Sequence, residues 1–121
     1  MILVDTSIWV DHLRARDTSL SNLLSARRVL VHPFVIGELA LGYLEPRDHV
    51  LAQFEDMPFA TTAKETDVLH LIENEKLFGT GIGYVDAHLL ASVRLTPGSS
   101  LWTRDKRLQD VARRLGLAAS I

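Results

Sequence analysis

Most of the fifteen acidic residues in this 121-residue chain stand among other charges, as Glu55-Asp56 and Glu73-Asn74-Glu75 do, which is the pattern of a solvated face. Three do not. Asp5 is the only charged residue from Met1 to Val10, Glu38 the only one from Pro33 to Leu44, and Asp86 the only one from Leu77 to Val93. An ionised carboxylate in apolar company costs several kcal/mol unless a cation or several hydrogen bonds compensate. A fourth acid, Asp105, follows the strand-like Leu101-Trp102-Thr103. If the four share one pocket, each pair about 5 Å apart repels by roughly 3 kcal/mol at an effective dielectric near 20. Arg104 or Lys106 would relieve part of this, but no matching cluster of arginines lies nearby in the sequence. Hard oxygen donors without Cys or paired His favour Mg²⁺ or Mn²⁺, so a divalent ion is the economical compensation. Asp5 and Asp105 are also placed to cap the helical patterns that follow them. Glu38 and Asp86 read as lying within helical segments, where a cap does not account for them and a distant Arg is the alternative partner.

Five stretches have strand character and would position these acids: Ile2-Leu3-Val4, Val29-Leu30-Val31, 59–62, Leu101-Trp102-Thr103 and 117–120. Apolar residues recur at i, i+3 and i+4 over 7–14, 20–26, 34–44, 49–56, 65–77, 84–95 and 106–115, which predicts helices there. Strands alternating with helices pair in parallel through right-handed crossovers, so the expected architecture is three-layer α/β/α around an open sheet. Pro33 and Pro46 suit helix first turns, 79–83 is a break, Pro97-Gly98-Ser99 is a turn, and Gly116 ends a helix. Neither a linker nor a repeat interrupts residues 1–121, which predicts a single domain. Ligands of such sheets bind beyond the carboxyl ends of the strands. Asp5-Thr6-Ser7 and Thr103-Arg104-Asp105 both follow strands, so their acids fall on the same edge.

Thirteen Lys and Arg against fifteen acids give a net charge of −2, and a 47% hydrophobic, 23% charged composition excludes intrinsic disorder. The absence of Cys excludes disulfides and thiolate metal sites, and the cytosol is the default compartment. No apolar run approaches the roughly 18 residues of a membrane span, and the N-terminus lacks the basic region and cleavage site of a signal peptide. The five His show no ligand spacing of the zinc kind. Gly79-Thr80-Gly81-Ile82-Gly83 follows a helix and lacks the lysine of a phosphate-binding loop.

The order Leu3-Val4-Asp5-Thr6-Ser7, Gly37-Glu38-Leu39, then 86–92 (Asp-Ala-His-Leu-Leu-Ala-Ser) and 101–108 (Leu-Trp-Thr-Arg-Asp-Lys-Arg-Leu) closely resembles PIN-domain proteins of the VapC toxin type. The four blocks fall in the right order through nearly the whole chain. The resemblance implies a five-stranded parallel sheet in the order 3-2-1-4-5. It implies an Mg²⁺- or Mn²⁺-dependent endoribonuclease, the toxic half of a bacterial toxin–antitoxin pair, forming homodimers. The implied partner is a VapB-like antitoxin, through which alone operator DNA would be reached. Carried over by position, Asp5, Glu38, Asp86 and Asp105 match the family's acidic quartet, and Thr6 and Thr103 match polar residues beside it. Asp5, Asp86 and Asp105 would hold the metal, and Glu38 would bind through water or orient the attacking water. Cleavage would leave a 5′-phosphate and a 3′-hydroxyl. Ser7 and Thr103 are candidates to hydrogen-bond a carboxylate or the phosphate.

RNA approaching an acidic pocket needs a basic rim, for which Arg104, Lys106 and Arg107 are the candidates. Trp9, Leu13, Leu69, Ile72 and Leu77 exceed what one small core obviously needs, and are candidates for dimer or antitoxin contact. A signalling receiver domain is the main rival, with Asp56 as its phosphorylated residue. However, Asp56 ends an amphipathic helix pattern rather than a buried strand, and Asp5 is followed by Thr instead of a second acid. A phosphatase with an aspartyl nucleophile would want an acid where Ser7 stands, and a non-catalytic binding module of the same fold is the third alternative.

Overall fold

A computed structural model describes residues 1–121. The element order is β1 (Ile2–Val4), α1 (Thr6–Arg14), α2 (Thr18–Ser25), β2 (Val29–Leu30), α3 (Pro33–Ala40), α4 (Arg47–Glu55), α5 (Glu65–Asn74), α6 (Tyr84–Leu95), β3 (Ser100–Trp102) and α7 (Lys106–Arg114). The three strands form one parallel sheet with β1 in the middle, in the order β2-β1-β3. Ile2 and Leu3 pair with Val29 and Leu30 on one side, and Ile2, Leu3 and Val4 pair with Ser100, Leu101 and Trp102 on the other. Every residue of β1 is buried, so helices cover both faces of the sheet, as an all-parallel sheet requires.

The expected five strands are therefore three. The outer two stretches each make a single parallel bridge, Phe59 with Val31 and Ala118 with Leu101. Only Ala60 N and Val31 N serve the first bridge, donating to Val31 O and Pro58 O. Phe59 is exposed, and Pro58 just before it has no N–H to extend a ladder.

Helix starts follow local chemistry. Asp5, Asp17 and Asp105 cap α1, α2 and α7 through Thr6 N, Leu20 N and Leu108 N. Pro33 opens α3, where the His32 ring nitrogen Nδ1 accepts from Phe34 N at 3.0 Å. Two helices stop earlier than their apolar periodicity suggests. α3 ends at Ala40 rather than Leu44, just before Gly42, and α5 ends at Asn74 rather than Leu77, where Lys76 adopts a positive φ of 54°. Gly116, with φ of 72°, takes the left-handed position after α7.

The core runs from the strands into all seven helices. Trp9 belongs to it, packing edge-on against Phe54 with ring centroids 4.9 Å apart. Leu77 is buried there and Ile72 packs against it, so of the five apolar residues proposed for contacts only Leu13 and Leu69 are exposed. Inside, His32 Nε2 lies 3.0 Å from Ser92 Oγ, which also accepts from Ala63 N at 3.2 Å. No helix is long and apolar enough to cross a membrane.

Candidate active site

Four elements bring the isolated acids to the C-terminal edge of the sheet. Asp5 leaves β1 and is buried, with 6% of its surface exposed. Its Oδ1 accepts from Thr6 N at 2.8 Å, and its Oδ2 accepts from Thr103 Oγ1 at 2.7 Å and Ser7 Oγ at 3.0 Å. These three donors replace the water that burial removes. Thr103, just past β3 and itself buried, accepts in turn from Asp105 N at 3.0 Å. One hydroxyl thus ties the acid of β1 to the turn that carries Asp105. Ser7 Oγ sits 3.5 Å from Thr103 Oγ1 and accepts from Arg104 N at 3.2 Å, closing the same junction.

Asp105 is exposed and uses Oδ1 to cap α7, accepting from Leu108 N at 3.0 Å. Asp86 is not a mid-helix acid after all. It occupies the first turn of α6, where its Oδ2 accepts from Gly83 N at 2.9 Å, so a capping role does account for part of its environment. Glu38 is exposed rather than enclosed, and is held by Thr6, whose hydroxyl donates to Glu38 Oε1 at 2.7 Å. Thr6 therefore reaches Asp5 with its N–H and Glu38 with its hydroxyl.

Electrostatics joins the four. The Asp86 carboxyl is raised above its usual value, mainly by burial; Gly83 N–H opposes this, and the charges of Asp5, Asp105 and Glu38 raise it further. Asp5, Asp105 and Glu38, from three other parts of the fold, thus lie within Coulombic reach of this one carboxyl. The distant-Arg alternative fails: the ion pairs join Arg94 to Glu75 and Arg104 to Asp11 and Asp17, and none reaches these acids.

The donor set fits a hard divalent cation. Asp86 Oδ1, Asp105 Oδ2 and Glu38 Oε2 receive no protein hydrogen bond, and no thiolate competes. No three acidic or histidine side chains stand together as a closed cage, however. The carboxylates converge within Coulombic reach and keep apart, as like charges do.

The basic rim differs from its sequence reading. The Arg104 guanidinium turns away to Asp11 and Asp17. Arg107 lies across Gly81, where a Cβ would fall 2.9 Å from its Cδ. Lys106 and Arg107 are both exposed and enter neither a side-chain hydrogen bond nor an ion pair, but only Lys106 is free of the Gly81 backbone. Asp11 and Asp17 went unnoticed in the sequence because each looks like an ordinary surface acid, and nothing local links Asp17 to a residue 87 positions away. Asp56, the residue a receiver domain would phosphorylate, is an exposed residue at the C-terminus of α4. A cleft of about 410 Å³ opens beside Glu38, lined by Val10, Leu13, Arg14, Leu39 and Tyr43 among others.

The family described as PIN domain matches residues 2–114. Ribonuclease VapC32 of Mycobacterium tuberculosis, in strains CDC 1551 / Oshkosh and ATCC 25618 / H37Rv, is 47% identical over 118 residues, covering 98% of this chain and 95% of the relative. A parallel α/β fold, a family match along nearly the full length and a relative of that identity agree, and the chain belongs to the PIN-domain family, among the VapC ribonucleases.

Proposed function

We propose that this protein is a divalent-metal-dependent endoribonuclease, the toxic member of a toxin–antitoxin pair, that hydrolyses RNA phosphodiesters with Asp5, Glu38, Asp86 and Asp105. The observation that supports the reading is that Asp86 lies within Coulombic reach of Asp5, Asp105 and Glu38 while no ion pair of the protein involves any of the four. An Mg²⁺ or Mn²⁺ ion, when bound, would supply Lewis acidity toward the scissile phosphate and make a water usable as nucleophile near neutral pH.

The side chains divide the remaining work. Asp5, Asp86 and Asp105 are the proposed ligands, each oriented by the helix terminus it caps. Thr103 and Ser7 hold the Asp5 carboxylate in one rotamer, and Thr6 holds Glu38 toward the same pocket, where it orients the attacking water. Orientation of this kind removes rotational freedom before the substrate arrives. Lys106 is the proposed phosphate contact of the rim, positioning RNA without reading its bases.

Partners follow from the same reading. A VapB-like antitoxin would lay an apolar segment in the cleft beside Glu38 and reach the carboxylates with a basic side chain. Exposed apolar residues, Leu41, Tyr43, Leu69 and Phe78 among them, offer surface for that segment and for a symmetric homodimer. Operator DNA would be contacted through the antitoxin alone, and a cytoplasmic location suits an RNA substrate.

The deciding assay incubates purified protein with RNA and Mg²⁺ or Mn²⁺, with and without chelator, beside an Asp5→Asn variant. Asp5→Asn should lower the cleavage rate at least a hundredfold, about the cost of losing one catalytic charge. Cleavage that survives chelation, or full activity in Asp5→Asn, overturns the assignment.

A further inference from the structure

Arg104 sits between two residues of the candidate site, Thr103 and Asp105, yet its side chain leaves that site. Its guanidinium forks, one terminal nitrogen donating to Asp11 Oδ2 near the end of α1 and the other to Asp17 Oδ2 at the start of α2. Its backbone N–H is fixed as well, donating to Ser7 Oγ. Both ends of the residue are therefore tied to the segment 7–17, which begins beside Asp5.

The anchor is itself stitched. Asp17 N donates to His12 Nδ1 at 3.0 Å, and Arg16 Nε donates to Ser21 Oγ at 2.9 Å. Asp17 uses its two oxygens separately, Oδ1 for the cap at Leu20 N and Oδ2 for Arg104. Leu20 N–H first, and Arg104 second, keep that carboxyl below its usual value. A planar fork matched to two fixed carboxylates restrains orientation in a way a lysine cannot. With one positive and two negative charges, the triad is net negative and offers a phosphate no attraction.

We propose that Arg104 is a positioning residue: by bridging Asp11 and Asp17 it fixes the turn that carries Thr103 and Asp105, and so tunes the affinity of the carboxylate cluster for a divalent cation. This rests on the reading of Asp105 as a ligand of that cluster. Arg104 would act on the cation indirectly, through Thr103 and Asp5 on one side and through Asp105 on the other. It is not part of the RNA-binding rim.

The test uses the whole protein and four forms of it: wild type, Arg104→Gln, Asp17→Asn and the double variant. Asn caps a helix as well as Asp does, so Asp17→Asn removes the Arg104–Asp17 ion pair, leaving Asp11 as the one remaining partner, and keeps the start of α2 intact. Mn²⁺ affinity is measured by electron paramagnetic resonance without RNA, and RNA affinity by anisotropy in chelator. Each single variant should weaken Mn²⁺ binding roughly tenfold, the lower end of what supporting residues of metal ligands contribute. The double variant should be no weaker than the worse single, since both break one linkage. RNA affinity in chelator should stay unchanged for Arg104→Gln. Arg104→Lys, which keeps the charge and loses the fork, should fail to restore Mn²⁺ affinity, and it carries the same test if Arg104→Gln folds poorly. Losses that multiply in the double variant overturn the proposal. So does an Arg104→Gln protein with normal Mn²⁺ affinity and salt-dependent loss of RNA binding. Wild type that binds no Mn²⁺ sinks the cluster reading itself, whereas normal binding in every variant sinks only the role of Arg104.

Discussion

Thr103→Val tests the junction on which the site depends. The substitution keeps shape and volume and deletes one hydroxyl, which donates to Asp5 Oδ2 at 2.7 Å and accepts from Asp105 N at 3.0 Å. A hydrogen bond to an ionised group contributes about 1.5–3 kcal/mol. Thr103 is only 4% exposed, so water is poorly placed to replace it at Asp5. Asp105 is exposed, and its N–H finds water. The loss should therefore come almost entirely from the Asp5 side, at about 2 kcal/mol. With roughly 2.1 cal/mol/K of unfolding entropy per residue, a domain of this length should then melt about 8 °C lower. Differential scanning calorimetry in chelator reads this directly, and Thr103→Ser serves as the control, since it keeps the hydroxyl and gives up a methyl worth about 1 kcal/mol. Mn²⁺ affinity should fall roughly tenfold in Thr103→Val and little in Thr103→Ser. If the serine variant is as impaired as the valine one, the methyl and not the hydroxyl matters, and the argument for a linked Asp5–Thr103–Asp105 junction fails.

Other expectations follow from single observations. Burial lowers the pKa of His32 from 6.5 to about 4, with the charge of His88 a second cause; a group neutral in the fold but protonated when unfolded makes stability fall as pH drops from 6.5 toward 4, by about 1.4 kcal/mol per unit. The stability difference between wild type and His32→Asn, measured by urea unfolding, should narrow at that rate across the window, and a constant difference would refute it. Lys106→Ala should weaken RNA binding equally for unrelated sequences and reduce the salt slope by about one, as read by anisotropy in chelator. Gly79 and Gly81 both have positive φ, 76° and 86°, but a Cβ at Gly79 meets open space while one at Gly81 meets Arg107; Gly79→Ala should cost about 1 kcal/mol in denaturant titration and Gly81→Ala distinctly more.

The acids were legible in the sequence because charge context is a one-dimensional signal. Asp5 and Asp86 stand alone in apolar runs, and the structure makes the first buried and the second half-buried. The same signal misjudged Glu38: of its apolar neighbours Val35 and Leu39 face inward, but Phe34, Leu41 and Tyr43 are exposed, as Glu38 is; a residue's neighbours along a helix are not its neighbours in space. Strand existence was legible for the three strands, each carrying buried apolar residues: all of β1, both residues of β2, and Leu101 in β3. At 59–62 and 117–120 the strand patterns shrink to single bridges; beside the first, Pro58 has no N–H to extend the ladder. Arg104 shows the deeper limit. Its charge and its place beside Asp105 suggested a phosphate contact, but its direction is set by two carboxylates 87 and 93 residues away, and long-range ion pairing leaves no local pattern.

Three of the four acids stand at helix starts: Asp5 for α1, Asp86 for α6 and Asp105 for α7. Each such terminus presents free N–H groups and the positive end of a helix dipole, which together favour a nearby carboxylate by about 0.3–1 kcal/mol beyond the cap itself. The fold can thus assemble like charges at one edge without stationing an arginine among them. Compensation is incomplete at Asp86, where burial and three acidic neighbours outweigh the single bond from Gly83 N. A divalent cation would offset both the cost of burying this carboxylate and the repulsion from its neighbours, part of which the helix termini already offset. An arginine would have neutralised the cluster permanently; helix dipoles hold it open. Open spacing would suit an ion that keeps several of its waters, as Mg²⁺ does.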